Sequence, residues 1–275
     1  MAKIITYREK DCFIHRLCGF TKLVFFIVWT LTTMLTYDTR VLAVMIAASF
    51  IIFKLSKTDW SQVRSIFSLI VIFLSVNIIA IFLFSPYEGC KIYGSRTDLF
   101  RFSERYTVTL QQLFYELNVM LKYFTIIPSV FMFITSTNPS EFAASLNRIK
   151  IPYTASYSVA ISLRYVPDVQ TDFSRIKNAQ EARGIEMSSK ANIFSRLKNM
   201  SAILFPLVFT SMEKIDSVTN AMELRGFGKH KTRTWYSARA LKKQDYIIIF
   251  LTMLFSAVAL TVTYMNGNRF WNPFL

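Results

Sequence analysis

The chain has 275 residues, 53% of them hydrophobic and 26 of them Phe, with a mean hydropathy of +0.35 and a formal net charge of +15. That composition excludes an ordinary soluble domain and puts an integral membrane protein first. Nucleic-acid binding is excluded because the basic residues interrupt apolar runs without forming a recognisable reading motif, and a zinc site because Cys12, Cys18, Cys90, His15 and His230 lack ligand spacing.

Residues 1–22 carry Lys3, Arg8, Lys10, Arg16 and Lys22 ahead of the apolar run Leu23 to Tyr37. No small-residue cleavage site follows, and a second run starts directly after Asp38-Thr39, so segments 21–37 and 40–55 are read as a helical hairpin and not as a leader. Both are short for a bilayer core of about 30 Å, which predicts snorkelling by Lys22 and Lys54. The third span is Val63 to Phe84, closed by Pro86 and Gly89. The stretch Ser85 to Glu116 holds four basic and four acidic residues and is expected to contain an amphipathic helix. A fourth span runs from Leu117 to Thr135, kinked at Pro128, with Lys122 one turn inside and expected to snorkel. The last span is Tyr246 to Met265, followed by a short external tail, Asn266 to Leu275.

Between the fourth and last spans lie 110 residues, Ser136 to Asp245, with 17 of the 32 Lys and Arg. Positive loops stay inside, which puts this block, the N-terminus and the Lys54 to Arg64 turn in the cytoplasm. The chain therefore divides into 1–135, with the N-terminal segment and four transmembrane helices, a cytoplasmic helical block 136–245, and 246–275, with the last span and tail. In the block, Tyr153 to Val166 is too short to span a bilayer and is read as the start of a membrane-surface or bundle-packed helix. Leu163, Val166, Val169, Phe173, Ile176 and Ala179 continue it at helical spacing, opposite Arg164, Asp168, Asp172 and Arg175, with a bend at Pro167. A second amphipathic helix carries Leu204, Val208, Met212, Ile215, Val218 and Met222, with a bend at Pro206. The two apolar stripes are expected to pack together along the middle of each helix.

Each helix ends on the same phrase. Asn178-Ala179-Gln180-Glu181-Ala182-Arg183-Gly184-Ile185 returns 42 positions later as Asn220-Ala221-Met222-Glu223-Leu224-Arg225-Gly226-Phe227, with five of eight residues identical. Gly after the last turn is how a helix is stopped, since it takes the left-handed conformation cheaply, and a cation there complements the dipole. Capping alone does not require Asn, Ala, Glu and Arg to recur in register. A repeated end with an exposed guanidinium points to two equivalent sockets on a partner, filled by planar multidentate donors.

At these residues the sequence resembles the transmembrane T component of the energy-coupling factor (ECF) vitamin and metal importers. The resemblance runs nearly end to end. Its specific part is the pair Ala182-Arg183-Gly184 and Leu224-Arg225-Gly226; supporting phrases are Asp11 to His15-Arg16-Leu17 with Lys22, Asn138-Pro139-Ser140-Glu141, Leu163-Arg164-Tyr165-Val166-Pro167 and Ala221-Met222-Glu223. Leu224 stands where alanine is usual, and Cys18-Gly19 where Asp-Pro is. The resemblance implies an all-α membrane protein, a bundle of about five spans joined to two long crossed cytoplasmic coupling helices. It implies a non-catalytic subunit seated on two ABC-type ATPases and holding a small hydrophobic membrane protein that captures substrate. ATP and magnesium then belong to the ATPases, and no cofactor belongs to this chain. In that arrangement Arg183 and Arg225 anchor the ATPases. The helix parts before Pro167 and Pro206 are expected to meet the bundle or the capture protein through Tyr157, Ile161, Leu163, Phe205 and Phe209, so that each helix works as a bent lever; the alternative is that the prolines only fit the helices to a curved surface.

The residues agree with that division of labour. No G-x-x-x-x-G-K-[ST] loop is present; around Gly228-Lys229, the nearest fragment, Glu223 stands where the first Gly belongs. The competing readings are an intramembrane enzyme and a self-contained transporter. The first needs carboxylates, a nucleophile with a base, or a metal set at membrane depth, and the second needs repeated halves with broken helices at the midplane. This chain repeats only its helix ends.

Overall fold

The computed structural model describes residues 11–58, 60–101, 106–185, 193–230, 233–265 and 268–274, with the side chains of 60–62 and 193–198 left aside. Lys3, Arg8 and Lys10, and Asn266 and Leu275 of the tail, lie outside the described residues. In chain order the elements are α1 (Phe13–Arg16), α2 (Gly19–Leu35), α3 (Thr39–Leu55), α4 (Trp60–Phe84), α5 (Glu88–Tyr93), β1 (Asp98–Arg101), β2 (Thr107–Thr109), α6 (Leu110–Ser136), α7 (Pro139–Arg148), α8 (Tyr153–Ala182), α9 (Ile193–Leu224) and α10 (Lys243–Tyr264). The protein is an all-α membrane protein with one small antiparallel ribbon, β1 on β2. The chain falls into two compact units, residues 1–138 with 239–275, and residues 139–238.

The first unit is the membrane bundle. Within α4, α6 and α10 the segments Val63–Phe84, Leu110–Ser136 and Lys243–Tyr264 are long and apolar enough to cross a bilayer. The hairpin partners α2 and α3 have 17 residues each, about 26 Å at the helical rise, short of a bilayer core as their sequences predict. Two apolar clusters fill the unit. Ile14, Phe25, Trp29, Val41, Met45, Met132 and Ala259 form one; Val63, Leu74, Ile127 and Phe131 form the other.

Polar contacts also join these helices. Helix α10 runs parallel to α2, and their pairing reads along both chains: the Thr21 hydroxyl donates to Asp245 Oδ1 at 2.8 Å, Thr32 to Ser256 at 2.9 Å, and Thr36 and Thr263 share a bond of 2.6 Å. Hydroxyls suit such seams because they also bond their own helix, as Thr32 does to the Val28 carbonyl, so no donor is stranded in apolar surroundings. Asp245 gathers three donors, adding the Cys18 N–H at 3.0 Å and the Lys242 N–H at 2.9 Å, and so ties the starts of α2 and α10 together. That bond to Lys242 starts α10 three residues before the expected Tyr246.

Two expectations change. Lys22 and Lys122 do not snorkel. Lys22 is 2% exposed, with Nζ 2.6 Å from the carbonyl of Ser136 at the end of α6. Lys122 is 8% exposed, with Nζ 2.9 Å from the carbonyl of Met34 at the end of α2 and 3.1 Å from the Tyr37 ring centroid. The reason is that α2 and α6 run antiparallel, so a lysine on each reaches the unsatisfied carbonyls that close the other, where a cation also meets the negative end of the dipole. Among the described residues of Ser85 to Glu116 the expected helix is short: six-residue α5, with Gly89 and Tyr93 buried and Lys91 exposed, is followed by the ribbon and the first turns of α6. The fourth span starts seven residues early, at Leu110, because Thr109 accepts the Gln112 N–H as an N-cap. Finally, the tail is packed. The Tyr37 N–H donates to the Arg269 carbonyl at 3.0 Å, and Phe270 and Phe274 lie edge-on to Tyr93 at 6.3 and 5.7 Å.

Asp245→Ala strands the buried Cys18 amide and Thr21 hydroxyl, at about 1–3 kcal/mol for each unpaired donor. The apparent melting temperature of the detergent-solubilised protein should drop by several degrees, and Asp245→Asn, which keeps an acceptor, should lose under half as much. An unchanged melting temperature for the alanine variant would show that the carboxylate does not hold the two helix starts together.

Candidate functional site

The second unit is built on α8 and α9, of 30 and 32 residues. Three pairings set their direction. The ring of Tyr157 is 4.7 Å from that of Phe227, Asp172 pairs with Lys214, and Gln180 Nε2 donates to the Ala202 carbonyl at 3.2 Å. As positions rise on α8 they fall on α9, so the helices are antiparallel. Their C-terminal ends therefore stand at opposite ends of the pair. From Tyr157 to Arg183 the helix spans 26 residues, which separates the two ends by about 40 Å.

Both ends have the same geometry. At the first, the Gly184 N–H donates to the Glu181 carbonyl at 3.0 Å and the Ile185 N–H to the Gln180 carbonyl at 3.1 Å; at the second, the Gly226 N–H donates to Glu223 at 2.8 Å and the Phe227 N–H to Met222 at 2.9 Å. These are the paired bonds of a Schellman motif, which satisfies carbonyls that an ending helix would leave open. The glycines hold φ of +86° and +67°, the left-handed region the motif requires. Space is not what demands glycine. A Cβ on Gly184 meets nothing within 4 Å, and one on Gly226 meets only Arg233 Nη2 at 3.8 Å. The repeated phrase is thus a repeated local structure with one cation at its C-cap.

Ala182, Arg183, Leu224 and Arg225 are all exposed, and neither guanidinium has a hydrogen bond or ion pair to a described residue. Leu224, which replaces the expected alanine, is 90% exposed, so its bulk meets no obstacle within the chain. Pro167 and Pro206 both lie inside continuous helices. Each removes one backbone donor, and Thr171 and Thr210 return hydroxyl bonds to their carbonyls at 3.0 and 2.9 Å. Phe205 and Phe209 are 65% and 63% exposed, and Leu163 is 38% exposed. Tyr157 and Ile161 are half-buried, the former stacked at 5.8 Å on Tyr153.

The apolar stripes do not close on each other as expected. Val208, Met212 and Ile215 stay 53–62% exposed, and Leu163 and Val166 are also open. Between the helices a cavity of about 360 Å³ is lined by Ile161, Tyr165, Val169, Ile215, Val218 and Met222, together with Asp168 and Lys214. The physical reason is that two long rods touch closely over only part of their length, so the apolar faces beyond that stretch are not covered by the partner helix.

The sequence reading did not single out a cluster beside the second end. Phe227 packs on Tyr153 and Tyr157 at 5.7 and 4.7 Å, and Trp235 lies 5.4 Å from Tyr153. The Trp235 indole N–H donates to Asn147 Oδ1 of α7 at 3.1 Å. Arg233 Nη2 donates to the carbonyls of Arg225 and Gly226, at 3.0 and 2.9 Å. An isolated Trp in the basic loop after α9 was the available signal.

A family model described as cobalt transport protein matches residues 10–236. The energy-coupling factor transporter transmembrane protein EcfT of Streptococcus thermophilus is 24% identical over 280 residues, covering 95% of this chain and 97% of that one. The protein of the same name from Leuconostoc gelidum is 26% identical over 272 residues, covering 94% and 96%. A third, from Streptococcus equi, is 34% identical over 110 residues, and there the chain spans 40% of the relative's length.

Gly184→Val places a β-branched residue at positive φ, a strain of about 1–2 kcal/mol. Amide hydrogen exchange at residues 184 and 185 should quicken by roughly tenfold in this variant and by much less in Gly184→Asn, because asparagine tolerates the left-handed region. Equal exchange in the two variants would contradict the capping account.

Proposed function

The chain belongs to the cobalt transport protein family, and from that membership we propose that it is the transmembrane coupling (T) subunit of an ATP-driven energy-coupling factor importer in the cell membrane. It is not itself catalytic. Two ABC-type ATPase subunits bind ATP and magnesium on the cytoplasmic side, and a small hydrophobic membrane protein captures the substrate, a vitamin or a transition-metal ion. The end-to-end relatives named for this role support the reading, and the basic block 136–245 suits a cytoplasmic placement by the positive-inside tendency.

One observation carries the proposal. The two Arg-Gly ends share one cap geometry, present unengaged guanidinia, and stand about 40 Å apart at opposite ends of an antiparallel pair. Two equal plugs at that distance suit two equal sockets, one on each ATPase, and an acidic socket matches a guanidinium in charge and in its fork of donors. Motion of the ATPases then moves Ala182-Arg183-Gly184 and Leu224-Arg225-Gly226, and α8 and α9 carry it towards the capture protein. The unpartnered apolar faces, with Leu163, Phe205 and Phe209 exposed, offer a surface for that protein or for the bundle. Ile161 lines the cavity between the helices, whereas Tyr157 is already engaged by Phe227.

Truncating a desolvated charged anchor costs about 2–5 kcal/mol. Arg183→Ala with Arg225→Ala should abolish substrate uptake and release both ATPases during copurification while the chain stays in the membrane. Full ATPase retention with normal uptake would sink the assignment. A second expectation concerns Pro167 and Pro206 as bends in two levers. Pro167→Ala with Pro206→Ala should leave a complete complex that hydrolyses ATP but transports poorly. Uptake that falls only in proportion to lost assembly would retire the levers and leave the prolines a packing role.

A further inference from the structure

A helix that ends leaves its last carbonyls in need of donors, and a cationic side chain in the final turn is well placed to fold back and supply them. Arg225 sits at such an end, yet its guanidinium bonds no described residue. The donor comes instead from eight positions further on. Arg233 Nη2 spans the carbonyls of Arg225 and Gly226, at 3.0 and 2.9 Å, with its positive charge on the negative end of the α9 dipole. The chain around them is held at two points. Phe227 and Trp235 both pack on the Tyr153 and Tyr157 rings of α8, at 4.7–6.0 Å, and Trp235 is further fixed by Asn147. Gly228, at φ +86°, makes one of the turns that bring the chain back.

We propose that Arg233 is a positioning residue for the second Arg-Gly end: by bridging the carbonyls of Arg225 and Gly226 it fixes the C-cap backbone from which the Arg225 guanidinium reaches the ATPase. The inference rests on the coupling function above. It assigns Arg233 a role through the helix end, where its Nη2 is already engaged. The aromatic clamp makes that commitment independent of binding, so the anchor is arranged before the ATPase arrives and less ordering is required at association.

A cycle of variants in the tagged, intact complex tests this, reading the rate at which the copurified ATPases are lost after dilution. Arg233→Ala should speed the loss about tenfold, the effect of removing one charge-assisted contact. In an Arg225→Ala background the same change should add less than twofold, because the residue acts through Arg225. In an Arg183→Ala background its full effect should remain. Arg233→Lys, which keeps the cation at the helix end, should recover part of the lifetime, and faster amide exchange at Phe227 in Arg233→Ala should accompany the loss. An undiminished effect without Arg225 would overturn the inference by making Arg233 an independent contact, as would no effect in any background. If Arg225→Ala itself leaves ATPase retention unchanged, it is the coupling function that fails, and the positioning role with it.

Discussion

An ending helix leaves backbone carbonyls without donors, and both units of this protein are arranged around how that need is met. In the membrane bundle, where water cannot serve, Lys22 reaches the Ser136 carbonyl and Lys122 the Met34 carbonyl. In the second unit the same need is met by backbone, through Schellman bonds closed on Gly184 and Gly226, with Arg233 added at the second end. One constraint thus produces two outcomes. Cations buried in the bundle are spent on structure, whereas at the ends of α8 and α9 mainly backbone bonds close the helix and the C-cap arginines bond no described residue.

Rigidity follows from the first outcome. The hydroxyl seam between α2 and α10 and the Asp245 junction close the bundle with buried bonds that have little competing solvent. Pairs of this kind contribute only about 0.6 kcal/mol each in membranes, so their number and their fixed register matter more than any one of them. The second unit has the opposite character: α8 and α9 leave much of their apolar surface open and enclose a cavity. Long helices with unsatisfied apolar faces are suited to acquiring partners.

The features legible in the sequence were those encoded locally. The apolar runs of α4, α6 and α10, the short hairpin α2 and α3, and the two positive-φ glycines were readable because length, periodicity and an Arg-Gly stop each sit within a few residues. What escaped was set by tertiary placement. Lys22 and Lys122 look like boundary lysines in a hydropathy profile, and only the antiparallel docking of α2 on α6 reveals that each closes the other helix. Arg233 was one basic residue among 17 in its block, and nothing local distinguished it. The distance between the two Arg-Gly ends was equally hidden, because a repeat at 42 positions fits anchors side by side or far apart until the helices are known to be antiparallel.

The most direct measurement is photocrosslinking from the two helix ends in native membranes, with a photoreactive amino acid placed at Ala182 or at Leu224, both exposed and adjacent to the arginines. The account predicts that each position yields an adduct with an ATPase subunit, and that a chain carrying both probes captures two subunits at once. Adducts confined to lipid or to a membrane partner, with no ATPase from either position, would contradict it.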